Sequence, residues 1–248
     1  ATTTRYGGEV SLHIGTSGWA YKEWKPAFYP ADVPQDRFLA YYGSVLTACE
    51  INATHYRVQP ESVVANWAAA VPEGFRFSVK VHKRLTDVGA MAWDATARAF
   101  LDRFVESVRP LGPRLGCMLL QYEADRERDD AALDAVLAAL PGDVPVALEF
   151  KHVSWFDAAI LDRVAEHGAT VCASETAGDV LERLPPGPFA YVRLRGEHYS
   201  AQARGAWLDL LRREAADRPV MAFTRHEGIP AGDPFAGVGL AEWMVEQP

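Results

Sequence analysis

The stretch PVALEFKHVSW, residues 145–155, decides the fold. Large apolar side chains alternate along it with a second face that ends in Glu149 and Lys151. An alternation of period two predicts a strand whose two faces meet different surroundings. Helices are expected to cover the apolar face, so the carboxylate and the amine must point into a shared interior. A barrel provides that interior, and barrel enzymes keep their chemistry at the carboxyl ends of the strands.

Seven other stretches predict strands, and helical patterns separate them. The predicted strands cover residues 12–17, 49–54, 75–82, 115–121, 170–174, 189–196 and 219–224. Strict alternation indicates parallel strands joined by right-handed crossovers, and eight such units fit a (β/α)8 TIM barrel. We predict a loose N-terminal leader over residues 1–10 and a single α/β barrel domain over residues 11–248, with a short or irregular sixth helix. An open doubly wound sheet is the alternative, disfavoured because no GxGxxG follows the first strand.

The composition is that of an ordinary globular chain of 248 residues, 49% of them hydrophobic, with a formal net charge of −8. This acidic balance gives no general attraction for nucleic acid, which would need a local basic lining. The three cysteines lie far apart without a CxxC, so buried reduced thiols are expected. No run approaches the ~20 apolar residues of a membrane helix, and the first residues lack a secretion signal. We therefore expect a cytoplasmic protein with no membrane partner.

Six motifs together resemble a known family. They are IGTSGWAYKEW at 14–24, CEINATHYR at 49–57, GFRFSVK at 74–80, LLQ at 119–121, ALEFKHVSWF at 147–156 and YVRLRG at 191–196. In this order they are similar to the YecE-like family, domain of unknown function 72. The resemblance implies a TIM barrel and leaves the biochemical role open. This chain has Lys151 where the family usually has an arginine, Arg195 where a histidine is usual, and Thr224, Arg225 and His226 in place of a pair of asparagines.

The predicted strand ends bring carboxylates, cations and amides to one mouth. Glu149 is the best candidate for a general acid or base, with Glu50 second, and Lys80 is a candidate Schiff-base amine if neighbouring cations lower its pKa. Arg193 and Arg195 have the fork geometry to clamp a phosphate or carboxylate. The candidate ligand-binding residues are Ser17, Trp19, Tyr21, Asn52, Tyr56, Gln121, Lys151, His152, Trp155, Arg193, Arg195 and Arg225.

Histidine spacing does not indicate a metal site, because neither HExxH nor HxH occurs. A cluster of His152 with Glu149 and Glu50 is disfavoured, since cations crowd the same mouth and repel a metal ion. No metal and no cofactor are therefore predicted. The aromatic loop at residues 19–30 is expected to be either a lid over the site or a structural plug.

The favoured hypothesis is a metal-independent enzyme that binds a small anionic ligand, phosphorylated or carboxylated, at the C-terminal mouth of the barrel. A glutamate is its acid or base, and arginine and lysine form the anion clamp. Two alternatives stay open. One is a nucleic-acid-binding protein, nuclease-like in mechanism, that uses the basic mouth and the aromatic loop. The other is a barrel without catalysis whose interior charges form a structural ion-pair network.

Overall fold

The structure is a computed structural model that describes residues 12–86, 93–175 and 179–247; the predicted leader at residues 1–10 lies outside them. The strands are β1 Leu12–Ser17, β2 Ala48–Ile51, β3 Arg76–Lys80, β4 Leu115–Tyr122, β5 Val146–Phe150, β6 Thr170–Val171, β7 Ala173–Glu175, β8 Ala190–Leu194 and β9 Val220–Thr224. All pairings are parallel, and the order in the sheet is β6-β5-β4-β3-β2-β1-β9-β8-β7.

The two ends of the sheet meet around a break at Cys172. β6 pairs with β5, whereas β7 pairs with β8, and the amide of Cys172 donates to the carbonyl oxygen of Leu148 at 2.8 Å. Residues 170–175 therefore act as a single position of an eight-membered barrel, bonded to one neighbour by their first half and to the other by their second. The prediction of an α/β barrel with eight strand positions is confirmed.

Helices alternate with the strands around the outside of the barrel. They are α1 Phe38–Val45, α2 Ala53–Tyr56, α3 Glu61–Ala70, α4 Ala95–Val108, α5 Asp130–Leu137, α6 Ala158–Glu166, α7 Ala201–Ala215 and α8 Gly237–Glu246. Residues 179–189 contain no helix, at the place where the sixth helix was expected to be short or irregular. Within the described ranges, none of the helices combines the length and the apolar character that a membrane crossing needs.

The core has an outer layer and an inner layer, and β5 contributes to both. Val146, Leu148 and Phe150 pack in the large outer cluster that joins the sheet to the helices. Burying each such side chain stabilises the fold by about 1.5–3 kcal/mol. A separate inner cluster fills the barrel and consists of Ala48, Cys117, Leu119, Ala147, Cys172, Phe189, Tyr191, Met221 and Phe223. The three cysteines are buried free thiols, as the sequence indicated.

The aromatic loop is packed into the fold. Trp24, Phe28 and Tyr29 are almost fully buried, and the Tyr29 ring stacks on Phe38 with centroids 3.9 Å apart. The Tyr29 hydroxyl also donates to the carbonyl oxygen of Trp19 at 2.5 Å. Of the two expectations for this loop, the contacts favour the structural plug.

We expect His13 to make the protein less stable as the pH falls from about 7 to 4. This buried β1 residue has its pKa lowered from 6.5 to about 4, mainly by burial and then by the charge of Arg76. In this pH window the unfolded chain binds a proton at His13 and the folded chain does not. This difference lowers the free energy of unfolding by about 2–3 kcal/mol at pH 4. Urea unfolding at pH 7, 6, 5 and 4 measures this effect. The free energy of unfolding should fall less steeply with decreasing pH for His13→Gln than for the parent protein, and the same pH dependence in both proteins would contradict the prediction.

Candidate functional site

The inner face of the barrel changes from apolar to polar within two residues. At five strand positions an inner apolar residue is followed two positions later, on the same strand face, by a polar side chain. The pairs are Ala48 and Glu50, Leu119 and Gln121, Ala147 and Glu149, Cys172 and Ser174, and Tyr191 and Arg193. A layer of polar groups thus lies at the carboxyl ends of the strands, directly above the apolar filling.

A pocket of about 930 Å³ opens above this polar layer. Most of the predicted site residues line it, namely Tyr21, Asn52, Tyr56, Lys80, Gln121, Glu149, Lys151, Arg193, Arg195 and Arg225. The sequence reasoning missed other lining residues, which are Ser174, Gly196, Glu197, His198, His226 and Glu227. The missed residues come mainly from the loops after β8 and β9. Loops have no periodic pattern from which the direction of a side chain could be predicted.

Arg193 connects three strands at the floor of the pocket. Its Nη1 donates to both carboxylate oxygens of Glu149, at 3.0 and 2.8 Å, and its Nη2 donates to Oε1 of Glu50 at 3.0 Å. The side chains of Arg193, Glu149 and Glu50 are only 7%, 1% and 0% exposed. Buried charges are tolerated when they are paired and hydrogen-bonded. Arg193 is paired with both carboxylates, and its Nε has no acceptor among the described residues.

Neutral groups also donate to the two carboxylates. The Tyr191 hydroxyl donates to Oε2 of Glu50 at 2.7 Å and lies 2.8 Å from the hydroxyl of Ser78. Gln121 donates its amide to Oε2 of Glu149 at 2.5 Å. Tyr191 was not among the candidate residues, although it stands on the same strand face as Arg193, and that spacing was the signal that could have found it.

The pairing fixes the protonation states of Glu149 and Arg193. Burial raises the pKa of Glu149, but the charge of Arg193 and hydrogen bonds from Gln121, Arg193 and Ser174 outweigh it and leave the pKa below its ordinary value. Burial lowers the pKa of Arg193, but the charges of Glu50 and Glu149 raise it by more. The pKa of Arg193 therefore lies well above its usual range. At neutral pH Glu149 is therefore a carboxylate and Arg193 a cation.

Lys80 differs from the other charged groups of the pocket. Its half-buried amine makes no hydrogen bond and no ion pair with any residue in the described part of the chain. Burial lowers its pKa, Arg193 and Lys151 lower it further, and the two floor carboxylates oppose them incompletely. The amine therefore loses its proton more readily than that of a solvated lysine, and it faces the pocket.

The cations at the rim have carboxylate partners. Lys151 Nζ lies 2.6 Å from Oε2 of Glu123, and Arg225 Nη1 lies 3.3 Å from Oε1 of Glu197. Arg195 donates its Nη2 to Glu227 at 3.1 Å, while its Nη1 is buried without an acceptor among the described residues. The sequence predicted an excess of positive charge at the mouth; the structure shows a smaller excess, because the loops bring their own glutamates to the arginines and to the lysine.

An aromatic wall forms one side of the pocket. The Tyr21 ring stacks on the imidazole of His226 with centroids 4.1 Å apart, and its hydroxyl donates to the carbonyl oxygen of Ser17 at 2.9 Å. Burial lowers the pKa of His226. Asn52 donates to the same Ser17 carbonyl at 3.4 Å, and Tyr56 is largely exposed at the outer edge.

Several predicted residues do not line the pocket. Glu50 lies beneath it, fully buried, and Ser17 is also buried, with a hydroxyl that has no hydrogen-bond partner among the described residues. Trp19 packs edge-on against Trp67, with ring centroids 5.7 Å apart.

Two further predicted residues, His152 and Trp155, lie beyond the end of β5 and also outside the pocket. The imidazole of His152 accepts from the amide of Ser154 at the start of a short turn, and Trp155 is fully buried and stacked on Phe150. Because the strand ends at Phe150, the alternation that placed Glu149 inside does not extend to either residue.

The described residues contain no group of three or more His, Cys, Asp or Glu side chains that could hold a metal ion. The disfavoured cluster of His152 with Glu149 and Glu50 does not form, because the His152 ring contacts Ser154 at 2.8 Å. The oxygens of both glutamates are also already used by Arg193, Tyr191 and Gln121.

Solved structures share this fold. A DUF72 family protein of Thermotoga maritima MSB8 has a TM-score of 0.75 at 18% identity, over 94% of this chain and 97% of that chain. A DUF72 family protein of Enterococcus faecalis V583 has a TM-score of 0.72 at 17% identity, over 95% and 94%. At this level of identity the likeness shows the fold alone.

Sequence comparison agrees with the structural one. The UPF0759 protein YunF of Bacillus subtilis (strain 168) is 29% identical over 151 residues, which are 58% of this chain and 52% of that protein, so the match spans about half the length of that relative. The family model described as protein of unknown function DUF72 matches residues 13–233. The resemblance carried by the six motifs is thereby confirmed, and the chain belongs to the DUF72 family of proteins of unknown function.

Proposed function

We propose that the protein is an enzyme that binds a small anionic molecule in the pocket at the barrel mouth and acts on it through Lys80. The observation that carries the proposal is the Lys80 amine, half-buried in the pocket and without a hydrogen bond or ion pair in the described part of the chain. Partial burial without a partner removes some of the water from the charged amine, which has a free-energy cost. A ligand that supplies an acceptor or an electrophile removes that cost.

Arg193 and the floor glutamates act as a scaffold in this proposal. The fork of Arg193, first considered as an anion clamp, is occupied on both sides by carboxylates. Glu149 was the first candidate for acid or base, but its hydrogen bonds hold it ionised and directed at Arg193. These contacts favour positioning and charge balance for Glu149 over proton transfer, and they leave Lys80 as the side chain with free reactivity.

The anion site of the proposal consists of Arg195 and Lys80. Arg195 Nη1 is a buried donor without an acceptor in the described ranges, which is the condition that a carboxylate or phosphate oxygen of a ligand would satisfy. The pocket volume of about 930 Å³ also falls within the range of sites for small molecules, about 300–1,000 Å³.

The two other hypotheses explain less of the geometry. A nucleic-acid interface needs unpaired cations along a groove, whereas the rim cations contact glutamates and the chain carries a net charge of −8. A purely structural ion-pair network accounts for Arg193 and its partners. It does not account for Lys80 or for the buried Nη1 of Arg195.

Calorimetry with inorganic phosphate and with oxalate as probes tests the anion site. We expect Lys80→Met and Arg195→Met each to weaken binding about 10- to 100-fold, because a hydrogen bond between charged groups contributes about 1.5–3 kcal/mol. Arg213→Met is the matched control, since Arg213 is an exposed cation on α7. The proposal is wrong if neither probe binds the parent protein, or if the control weakens binding as much as the pocket variants.

A further inference from the structure

We propose that Lys80 forms a Schiff base with small aldehydes or ketones that carry a carboxylate or phosphate group. This inference rests on the proposed anion-binding function and names the substrate class of the same pocket. Its geometric basis is the position of Lys80 at the end of β3. The Thr54 hydroxyl holds the Lys80 carbonyl oxygen at 2.7 Å, and the neighbouring amide of Val81 donates to Leu119 at 2.8 Å. The backbone is thus fixed, while the amine is left free to react.

The groups around the amine suit a nucleophile. Burial, Arg193 and Lys151 lower the pKa of Lys80, and Glu50 and Glu149 act in the opposite direction. A lowered pKa increases the fraction of neutral amine, which is the form that attacks a carbonyl carbon. Arginine cannot take this part, because its guanidinium stays protonated. Lys151, the other lysine of the pocket, has its amine 2.6 Å from Glu123.

The reaction leaves the net charge at the Lys80 nitrogen, above the floor glutamates, unchanged. The neutral amine adds to the carbonyl carbon, and one proton passes from the nitrogen to the carbonyl oxygen to give a neutral carbinolamine. Protonation and loss of that hydroxyl as water then give the iminium ion. In sum, an ammonium ion and a carbonyl compound become an iminium ion and one water molecule. The positive charge lost at the ammonium returns at the iminium nitrogen, so Glu50 and Glu149 balance reactant and product alike.

The acidic group of the substrate follows from Arg195. Its buried Nη1 has no acceptor in the described ranges, and Arg195 lines the same pocket as Lys80. The inference therefore places the anionic oxygen of a carbonyl compound with a carboxylate or phosphate on Arg195, and its carbonyl carbon at the amine. A neutral aldehyde has no group for that contact, so selectivity for the anionic compound is part of the inference.

Reductive trapping tests the inference on the parent protein. Glyoxylate and sodium cyanoborohydride are added at neutral pH, with propanal as the neutral comparison, and the modified peptides are identified by mass spectrometry. Reduction of the imine leaves a secondary amine whose added mass is that of the carbonyl compound less one oxygen atom. The chain has five lysines, so Lys22, Lys25, Lys83 and Lys151 serve as internal comparisons.

We expect Lys80 to be modified by glyoxylate about tenfold faster than any other lysine, because its neutral form is more abundant at the same pH. For each reagent, the rate of modification at Lys80 is divided by the rate at Lys22. This ratio should be larger for glyoxylate than for propanal. Lys80→Arg should remove this adduct and leave slow labelling elsewhere. Because the site is mapped first on the parent protein, a variant that fails to fold does not affect the result.

Three outcomes would overturn the inference. Adducts spread evenly over the lysines, or found mainly on Lys151, would show that Lys80 is not the reactive amine. Equal relative rates for glyoxylate and propanal would remove the acidic substrate class. If phosphate or oxalate binds and depends on Arg195, but Lys80 stays unmodified, the Schiff base is wrong and the proposed anion site stands; failure of both measurements would reject both.

Discussion

Arg193→Met is expected to lower the free energy of unfolding by about 3–5 kcal/mol, because it leaves two buried carboxylates without their cation. Glu50 and Glu149 are fully buried, and Arg193 supplies three of their charged hydrogen bonds. The loss should be largest near pH 7. In the parent protein the lowered pKa of Glu149 adds stability that is present above the unfolded pKa and disappears as the pH falls. In the variant this contribution is missing, so the two proteins should become more alike in acid.

Urea unfolding at pH 7 and at pH 4 measures this effect. Lys151→Met is the control, since its ion pair with Glu123 is partly exposed, with side chains 37% and 53% accessible. Removing such a pair should cost less than about 1 kcal/mol. A variant at Arg193 that is as stable as this control at pH 7 would show that the floor carboxylates do not depend on the guanidinium.

Gly15→Ala is expected to destabilise the protein by about 3 kcal/mol or more, because the added methyl group has no space between β1 and β2. A Cβ at this position would lie 1.7 Å from the carbonyl oxygen of Ala48 and 2.8 Å from the hydroxyl of Tyr42. Gly15 is the register partner of Ala48, and the Tyr42 hydroxyl donates to that same carbonyl at 2.9 Å. Relief of the overlap therefore requires the two strands to separate.

Gly205→Ala is the matched control for that substitution. Gly205 lies inside α7, and a Cβ there would meet no heavy atom within 4 Å. The same chemical change should stabilise the protein by about 0.5–1 kcal/mol, since glycine weakens a helix interior relative to alanine. The thermal unfolding midpoint should thus move in opposite directions in the two variants, and a fall or rise shared by both would contradict the explanation.

Much of the barrel could be predicted because the alternation of apolar and polar residues along each strand indicates which face packs against the helices. The pattern in residues 145–155 placed Val146, Leu148 and Phe150 outward and Glu149 inward, and the structure has this arrangement. The break at Cys172 could not be predicted in this way. It arises from pairing with two different neighbours, β5 and β8, which the residues of one strand do not reveal.

The site was predictable where strands supply its residues and less so where loops do. Glu50, Glu149 and Arg193 follow from strand alternation, and the structure brings the three together. Glu197 and Glu227 lie beyond β8 and β9, where the backbone direction depends on tertiary packing. Their absence from the prediction made the mouth look more basic than it is. His152 follows the strand directly in sequence, but the strand ends at Phe150 and the imidazole contacts Ser154 outside the pocket.

The bonds made by Arg193 also bear on how the chain acquires this site. The bond to Glu50 joins residues 143 positions apart in sequence, and the bonds to Glu149 span 44 positions. Contacts between such distant segments form only after the large entropic cost of closing the intervening loop has been met, which slows folding. A chain in which β8 is not yet in place lacks the cation that pairs with Glu50 on β2 and Glu149 on β5. The floor of the pocket beneath Lys80 therefore requires β2, β5 and β8 together.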